Sequence, residues 1–191
     1  MLSVLDSPTL RARVSPLSVA SYHNLGEFNE HGRRTELIRG IVVEKMSKSP
    51  LHTSIATHLY RLILARIPEG YSAWKEEPLT LRDSEPEPDV SVVKADWSAH
   101  DHGHPTTAAL VIEVAVSTPD DDRAMAEIYA EAGVGEYWVV LAKERAIEVF
   151  RQPEGLAYRE MRRYEFADEL ACSTVPGVKV VLAELFAGIS A

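Results

Sequence analysis

The sequence predicts a single α/β domain built around a buried inner strand. The segment LVIEVAV at 110–116 is almost continuously apolar, which is typical of a strand covered on both faces in a mixed or parallel sheet. A helical segment and a second apolar strand at 136–141 follow it, and strand, helix and strand with short links predict a right-handed crossover. With 191 residues, 46% of them apolar, the chain can bury one sizeable core, and one domain is the default.

The N-terminal third predicts a short helix, a hairpin and a longer helix. Residues 18–28 carry apolar side chains at helical spacing behind a possible cap at Ser18. Residues 35–46 hold two apolar runs broken at Gly40, which indicates a β-hairpin. Residues 52–67 repeat apolar side chains at three and four positions, which predicts an amphipathic helix with one buried face.

Extended segments connect this helix to the inner strand. Residues 71–83 read as two short extended pieces split at Pro78. The proline-rich stretch 84–89 is stiff and leads into an apolar strand at 90–93. Residues 94–107 are predicted to be a loop.

The segments after the inner strand complete the domain. Hydroxyl side chains, a proline and aspartates at 117–121 predict a capped helix start, and Gly133 marks the helix end. Residues 146–151 and 156–161 predict a closing antiparallel hairpin, and 178–186 is either a strand or a helical turn.

The net charge and its distribution limit the classes of function. The net charge of −9 argues against loose, non-specific DNA binding. Residues 1–66 nevertheless carry a net charge of +4, so a polyanion would be met by this third of the chain, unless its charges form an ordinary solvated face. The cations concerned are Arg33, Arg34, Arg39, Lys45 and Lys48.

Several common classes are excluded by missing motifs. The single cysteine, Cys172, allows no disulfide within the chain. No apolar run reaches the roughly 18 residues of a membrane helix, and a cytoplasmic location is the simplest expectation. The sequence has no Gly-rich phosphate loop, nucleophile elbow or paired CxxC motif.

Glu113 is the residue that most needs an explanation, because it lies in the middle of the apolar strand at 110–116. An ionised carboxylate in a buried strand is costly unless a cation, donors or a metal ion compensates it. Asp89, at the head of the strand 90–93, could meet Glu113 at one edge of the sheet. Two such carboxylates and a backbone carbonyl would suit Mg²⁺, although Asp89 could also simply cap a turn.

Four segments together resemble the Uma-two family, a branch of the PD-(D/E)xK nuclease superfamily. They are TELIRGIVVEKMS with the following SPLH, EPEPDVSVV, LVIEVAVST and DDRAMAEIYAEAGVGEYWVV. The resemblance implies a restriction-endonuclease-like fold, in which a central mixed β-sheet is flanked by helices, and a Mg²⁺ (or Mn²⁺) site that hydrolyses DNA phosphodiesters. On this basis residues 1–15 are an N-terminal extension and residues 16–191 form the domain.

The resemblance also implies roles for individual residues. Asp89 and Glu113 correspond to the metal carboxylates, with the carbonyl of Val114 as a third ligand. Glu36 matches the upstream glutamate of the family, and His52 matches the histidine after the hairpin. These four side chains are the candidate catalytic set.

The lysine of the superfamily is missing. Its usual position, two residues after the second acid, is Ala115, and its position on the following helix in this family is Met125, or Ala126 in a shifted alignment. Such a lysine orients water and balances developing phosphorane charge. Lys94 and Lys143 are the alternative cations considered.

Two function classes follow. The first is a metal-dependent nuclease, weak or inactive without its lysine. The second is a catalytically silent nuclease fold that serves as a binding or homodimeric assembly module.

Other clusters have simpler explanations. The histidine-rich stretch 100–104 is predicted to be a solvated loop, and Asp120, Asp121 and Asp122 to be helix-start acids. Tyr129, Tyr137 and Trp138 are predicted to pack in the core.

Overall fold

The fold is centred on a six-stranded mixed sheet. It is described by a computed structural model for residues 7–25, 34–95 and 103–189. The sheet order is β3-β4-β5-β6-β7-β8, and the β5–β6 pair alone among these is parallel. The strands are β3 (Tyr71–Trp74), β4 (Val90–Lys94), β5 (Leu110–Ala115), β6 (Glu136–Leu141), β7 (Ala146–Glu154) and β8 (Ala157–Tyr164).

Two helices cover the two faces of this sheet, as the apolar character of β5 predicts. Alternate residues of a strand point to opposite faces, so Ile112 and Val114 join one core cluster with the helix α3 (Pro50–Leu64). Val111 and Ala115 join the other cluster, which includes buried residues of the helix α4 (Pro119–Glu131). Glu113 therefore belongs to the face that α4 covers, because it alternates with Val111 and Ala115.

The starts of these helices are encoded locally. The Ser49 Oγ accepts a hydrogen bond from the His52 N–H (3.2 Å), and Pro50 occupies the first turn of α3. Three aspartates lie in the first turn of α4, where the helix dipole favours negative charge. The predicted hydroxyl cap of α4 is wrong, because Thr118 at the N-cap makes no side-chain capping hydrogen bond.

Shorter elements surround the sheet. The helices α1 (Pro8–Arg11) and α2 (Val19–His23) precede the hairpin of β1 (Thr35–Ile38) and β2 (Ile41–Glu44). The hairpin turns at Arg39-Gly40, as predicted, and both residues have positive φ (51° and 75°). At the C-terminal end, β9 (Glu169–Ala171) pairs with β10 (Lys179–Val181), and α5 (Leu182–Leu185) follows directly.

Several predicted boundaries differ from the structure. α3 begins two residues earlier and ends three residues earlier than predicted. The second extended piece of 71–83 is not a strand. The stretch 84–89 that follows it contacts the hairpin through the isolated Leu37–Glu85 bridge. The stretch 178–186 contains both a strand and a helical turn, and β9 was not predicted. The predicted helix 18–28 is seen only as α2 and one following turn, since residues 26–33 lie outside the described residues.

Within the described ranges, no helix is both long and apolar enough to cross a membrane.

Candidate active site

Asp89 and Glu113 meet at the edge of the sheet where β4 begins. The antiparallel register pairs Val90 with Ile112, and continuing it by one residue places Asp89 opposite Glu113. The Asp89 N–H donates to Oε2 of Glu113 (3.1 Å), and the Val114 N–H donates to Oδ2 of Asp89 (2.8 Å). Each carboxylate is thus fixed by the main chain of the neighbouring strand.

These carboxylates lie in a cleft of about 780 Å³. It is lined by residues of the β1–β2 hairpin, of the connection 45–49 and of α4. The cleft also contains Glu36, His52, Val114 and Met125. The structure therefore brings the whole candidate set into one depression, in which Asp89 is buried and Glu113 is partly buried.

Two positively charged or protonatable side chains flank Asp89. Nε2 of His52 lies 2.8 Å from Oδ2, and Nζ of Lys48 donates to Oδ1 across 2.8 Å. Nζ of Lys48 also lies 3.3 Å from Oε1 of Glu76. Sequence reasoning placed Lys48 among the cations for a polyanion, not beside a metal carboxylate. Its closeness in sequence to His52 was the available signal.

Glu36 forms a separate part of the cleft wall. Its Oε1 accepts a hydrogen bond from the Glu87 N–H (2.7 Å) and lies 2.9 Å from Nζ of Lys45. Lys45 also donates to the carbonyl of Glu87 (2.8 Å). Burial opposes the charge of Lys45, but Glu36 and Glu87 outweigh it, so the pKa of Lys45 is raised. Glu36 is therefore held by Lys45 in the wall.

The cleft concentrates negative charge. Burial, followed by repulsion from Asp89, Asp122 and Glu36, raises the pKa of Glu113 well above its ordinary value. Burial and repulsion from Asp89 and Asp121 raise the pKa of Asp122 to about 6. Burial disfavours the ionised form of Asp89 as well, but the hydrogen bond from His52 and the charge of Lys48 lower its pKa. A bound cation would relieve the remaining repulsion.

The positions where a lysine is missing are filled by apolar side chains. Ala115 is buried in β5, and Met125 lines the cleft from α4. Arg123 makes two hydrogen bonds to Glu148 (2.7 and 2.8 Å) and is not among the residues that line the cleft. Lys94 and Lys143 do not line it either, and Lys94 ends β4 at the opposite end from Asp89. Ala126 packs against the core.

The cations of the N-terminal third that were predicted to meet a polyanion pair with carboxylates wherever the structure describes them. Arg34 pairs with Glu76 and Glu87, and Arg39 pairs with Glu131 among others. Lys45 and Lys48 are paired as described above, and Arg33 lies outside the described residues. These four described cations, which were predicted to meet a polyanion, therefore all pair with carboxylates.

The carboxylates of the cleft suit an ion that needs few protein ligands. In the described part of the chain, no group of three or more His, Cys, Asp or Glu side chains is arranged to hold one. Mg²⁺ does not require such a group, because it keeps several waters and binds through one or two carboxylates. Asp89 and Glu113 fit that requirement. In the stretch 100–104, residues 100–102 lie outside the described residues, and His104 is exposed.

The aromatic residues behave as predicted. Tyr129, Tyr137 and Trp138 are fully buried, and each has a hydrogen-bond acceptor. Tyr129 donates to Oε1 of Glu113 (2.9 Å), Tyr137 donates to the carbonyl of Asp122 (2.6 Å), and the Trp138 indole donates to Glu136 (2.9 Å).

The mixed sheet, with helices on both faces and a cleft at the start of β4, is a nuclease-like fold. The sequence profile of the Uma2 family, described as "Putative restriction endonuclease", matches residues 19–183, and the chain belongs to this family. The resemblance read from the sequence segments is thereby confirmed. No match is found among curated proteins.

A solved structure supports the fold. The crystal structure of "a putative nuclease belonging to DUF820" from Anabaena variabilis superposes with a TM-score of 0.70 and 19% sequence identity. The match covers 90% of this chain and 98% of that chain. At this identity the similarity shows the fold alone, and it confirms the restriction-endonuclease-like architecture predicted from the sequence.

Proposed function

We propose that this protein is a Mg²⁺- or Mn²⁺-dependent nuclease that hydrolyses phosphodiester bonds of DNA in the cleft between the β1–β2 hairpin and α4. The single observation that carries the proposal is the contact between Asp89 and Glu113. Two carboxylates from adjacent strands, each fixed by a main-chain N–H of the other strand, form a rigid pair of oxygen ligands. The family description supports nucleic acid as the substrate class.

In this proposal, Asp89 and Glu113 hold the divalent ion, with the Val114 carbonyl as a third ligand. When bound, the ion polarises the phosphoryl oxygens and neutralises their charge. His52 binds Oδ2 of Asp89 and Tyr129 binds Oε1 of Glu113, so both carboxylates are oriented before the ion arrives. Glu36 and Lys45 shape the wall that faces the substrate.

The second candidate is a catalytically silent binding or assembly module. It is favoured by one observation, the apolar Met125 at the position where the family places its lysine. A homodimer, a cytoplasmic location and contact with DNA through the N-terminal third stay predictions of the sequence.

Cleavage assays separate the two candidates. Supercoiled plasmid and single-stranded DNA are incubated with Mg²⁺ or Mn²⁺ and with wild type, Glu113→Gln or Glu69→Gln, the last being an exposed control outside the cleft. The nuclease proposal expects metal-dependent cleavage by wild type and Glu69→Gln and a loss of at least about 100-fold in Glu113→Gln.

Met125→Lys completes the comparison. Cleavage by Met125→Lys alone would support a silent module that has lost its catalytic cation. If no variant cleaves DNA and calorimetry detects no divalent-ion binding, the metal-site proposal is wrong.

A further inference from the structure

We infer that Lys48 supplies the positive charge that the helix position 125 lacks, and that it acts directly on the phosphodiester in the cleft. This inference rests on the proposed nuclease function and names a further catalytic residue for it. The cation would then come from the connection between β2 and α3 and not from α4, which carries Met125; both residues line the cleft.

The contacts of Asp89 define where the charge lies. Oδ2 is occupied by His52 and by the Val114 N–H, and Oδ1 receives Nζ of Lys48 at 2.8 Å. The Asp89 side chain is 5% exposed, whereas that of Lys48 is 22% exposed. The ammonium group thus contacts the candidate metal carboxylate and still has access to the cleft. A substrate phosphate beside Asp89 would lie within reach of it.

The position of Lys48 follows from the start of α3. Lys48 directly precedes the N-cap residue Ser49, whose hydroxyl accepts from the His52 N–H, and Pro50 fixes the first turn. One helix start therefore places both Lys48 and His52 against the same carboxylate. The local structure at the start of α3 thus contributes to the contact between Lys48 and Asp89.

The other cations near the cleft are bound to other acceptors. Lys45 contacts three acceptors, which are Oε1 of Glu36 and both the carbonyl and Oε2 of Glu87. Arg123 is bound to Glu148. The second contact of Lys48, to Glu76, is longer at 3.3 Å, and a phosphate oxygen could replace it.

The chemistry requires no change in the protonation of Lys48. The water oxygen bonds to phosphorus while the bond from phosphorus to the leaving oxygen breaks. The proton lost by the water passes to solvent, and the leaving oxygen takes a proton from solvent. The Lys48 ammonium donates hydrogen bonds to the attacking water and to a non-bridging oxygen, where negative charge increases in the transition state.

The test compares Lys48→Met with Lys75→Met. Lys75 is a matched control, because it pairs with the same Glu76 (2.5 Å) but does not line the cleft. Single-turnover cleavage in Mg²⁺ is expected to fall about 100- to 1,000-fold in Lys48→Met and to stay within about twofold in Lys75→Met. Lys48→Arg retains the charge and is expected to keep more activity than Lys48→Met. Adding Met125→Lys to Lys48→Met is expected to raise the cleavage rate of Lys48→Met at least about tenfold.

Calorimetry with Ca²⁺ and no DNA gives a second readout. Removal of a positive charge beside Asp89 is expected to keep or strengthen Ca²⁺ binding by Lys48→Met. Loss of Ca²⁺ binding would show that Lys48 only maintains the structure of the site, and it would overturn the inference. If Lys48→Met does not fold, Lys48→Gln replaces it in both assays with the same expected results.

The outcomes for the two proposals are distinct. If wild type cleaves DNA, Glu113→Gln does not, and Lys48→Met equals wild type, the inference is wrong and the nuclease function stands. If wild type and Glu113→Gln are equally inert, the nuclease function fails and the inference fails with it.

Discussion

Tyr129 donates its hydroxyl hydrogen to Oε1 of Glu113 across 2.9 Å, and both groups lie between α4 and β5. One oxygen of the acid is therefore fixed by the helix that covers this face of the sheet, and the other by the Asp89 N–H. These hydrogen bonds offset part of the cost of placing an acid in an otherwise apolar strand, although burial and the neighbouring acids still raise the pKa of Glu113. A buried carboxylate is tolerated when donors replace the water that it has lost.

Tyr129→Phe tests this arrangement. The substitution leaves Oε1 of Glu113 without its donor in a buried site, so the free energy of unfolding is expected to fall by about 1–3 kcal/mol. Tyr60→Phe is the control, because no hydrogen bond of the Tyr60 hydroxyl is found within the described ranges. Urea unfolding of both variants at neutral pH measures the difference. Equal stabilities for the two variants would contradict a stabilising role for this bond.

Asp122→Asn is expected to stabilise the metal-free protein at neutral pH. Burial and repulsion raise the pKa of Asp122 to about 6, above its ordinary value of 3.8. A raised pKa means that the ionised form costs stability in the folded state, and this cost grows as the pH rises from about 3.8 through about 6 and is constant above that. The variant should be more stable by about 1–3 kcal/mol above pH 7 and should match wild type near pH 3.5. Thermal unfolding across this pH range measures the difference in stability between the variant and wild type. A difference that does not change with pH would contradict the electrostatic cause.

Glu136→Gln should have the opposite pH dependence. Glu136 is buried and accepts hydrogen bonds from Ser173 (2.9 Å from N), Trp138 (2.9 Å) and Arg151 (2.5 Å). Burial opposes its ionisation, but these donors outweigh burial and lower its pKa from 4.5. The stabilisation is therefore complete above about pH 4.5 and is lost as the pH falls through the folded-state pKa.

The expected loss in Glu136→Gln at pH 7 is about 3 kcal/mol, because Arg151 keeps a charge without its partner. Denaturant unfolding between pH 3 and pH 7 should show a flatter profile for the variant than for wild type. The exposed Glu69→Gln serves as the control and should follow wild type throughout. Parallel profiles for wild type and Glu136→Gln would show that this carboxylate does not contribute to acid sensitivity.

Gly40→Ala and Gly155→Ala form a matched pair. Both glycines have positive φ (75° and 61°), so alanine costs about 1–2 kcal/mol at either position through backbone conformation. A Cβ at Gly40 would also lie 2.4 Å from Cβ of Pro16 and 2.9 Å from the Leu17 carbonyl, whereas nothing lies within 4 Å at Gly155. Gly40→Ala should therefore be the more destabilised variant by at least about 1 kcal/mol in chemical unfolding. If the two variants lose similar stability, residues 16–17 shift without cost to make room for the Cβ at position 40.

Elements with strong local patterns could be predicted from the sequence. The apolar run of β5, the helical repeat of α3 and the turn at Arg39-Gly40 depend on neighbouring residues, and the structure shows each of them. β9 could not be predicted, because a three-residue strand is defined by its partner β10 rather than by its own pattern. The missing cap at Thr118 has a similar reason, since composition shows which side chains could cap but not their orientation.

The sequence predicted which residues form the candidate site better than it predicted the contacts between them. The family segments indicated Asp89, Glu113, Glu36 and His52, and all four line the cleft. The contact of Lys48 with Asp89 was signalled only by the closeness of Lys48 to His52 in the sequence, because the two contacting residues are 41 positions apart in the chain. Lys94 and Lys143 lie near strand ends, but neither lines the cleft, and Lys94 lies at the end of β4 opposite to Asp89.

The β1–β2 hairpin is a two-stranded sheet of its own, separate from the six-stranded sheet that carries the carboxylates. Lys45 and Lys48 both follow this hairpin, while Asp89 and Glu113 are anchored on the main sheet. The lysines of the cleft and its two central carboxylates are consequently carried by different segments, and Glu36 of β1 adds an acid on the hairpin side. A rigid displacement of the hairpin would alter the electrostatic potential at the two central carboxylates while leaving their own geometry intact.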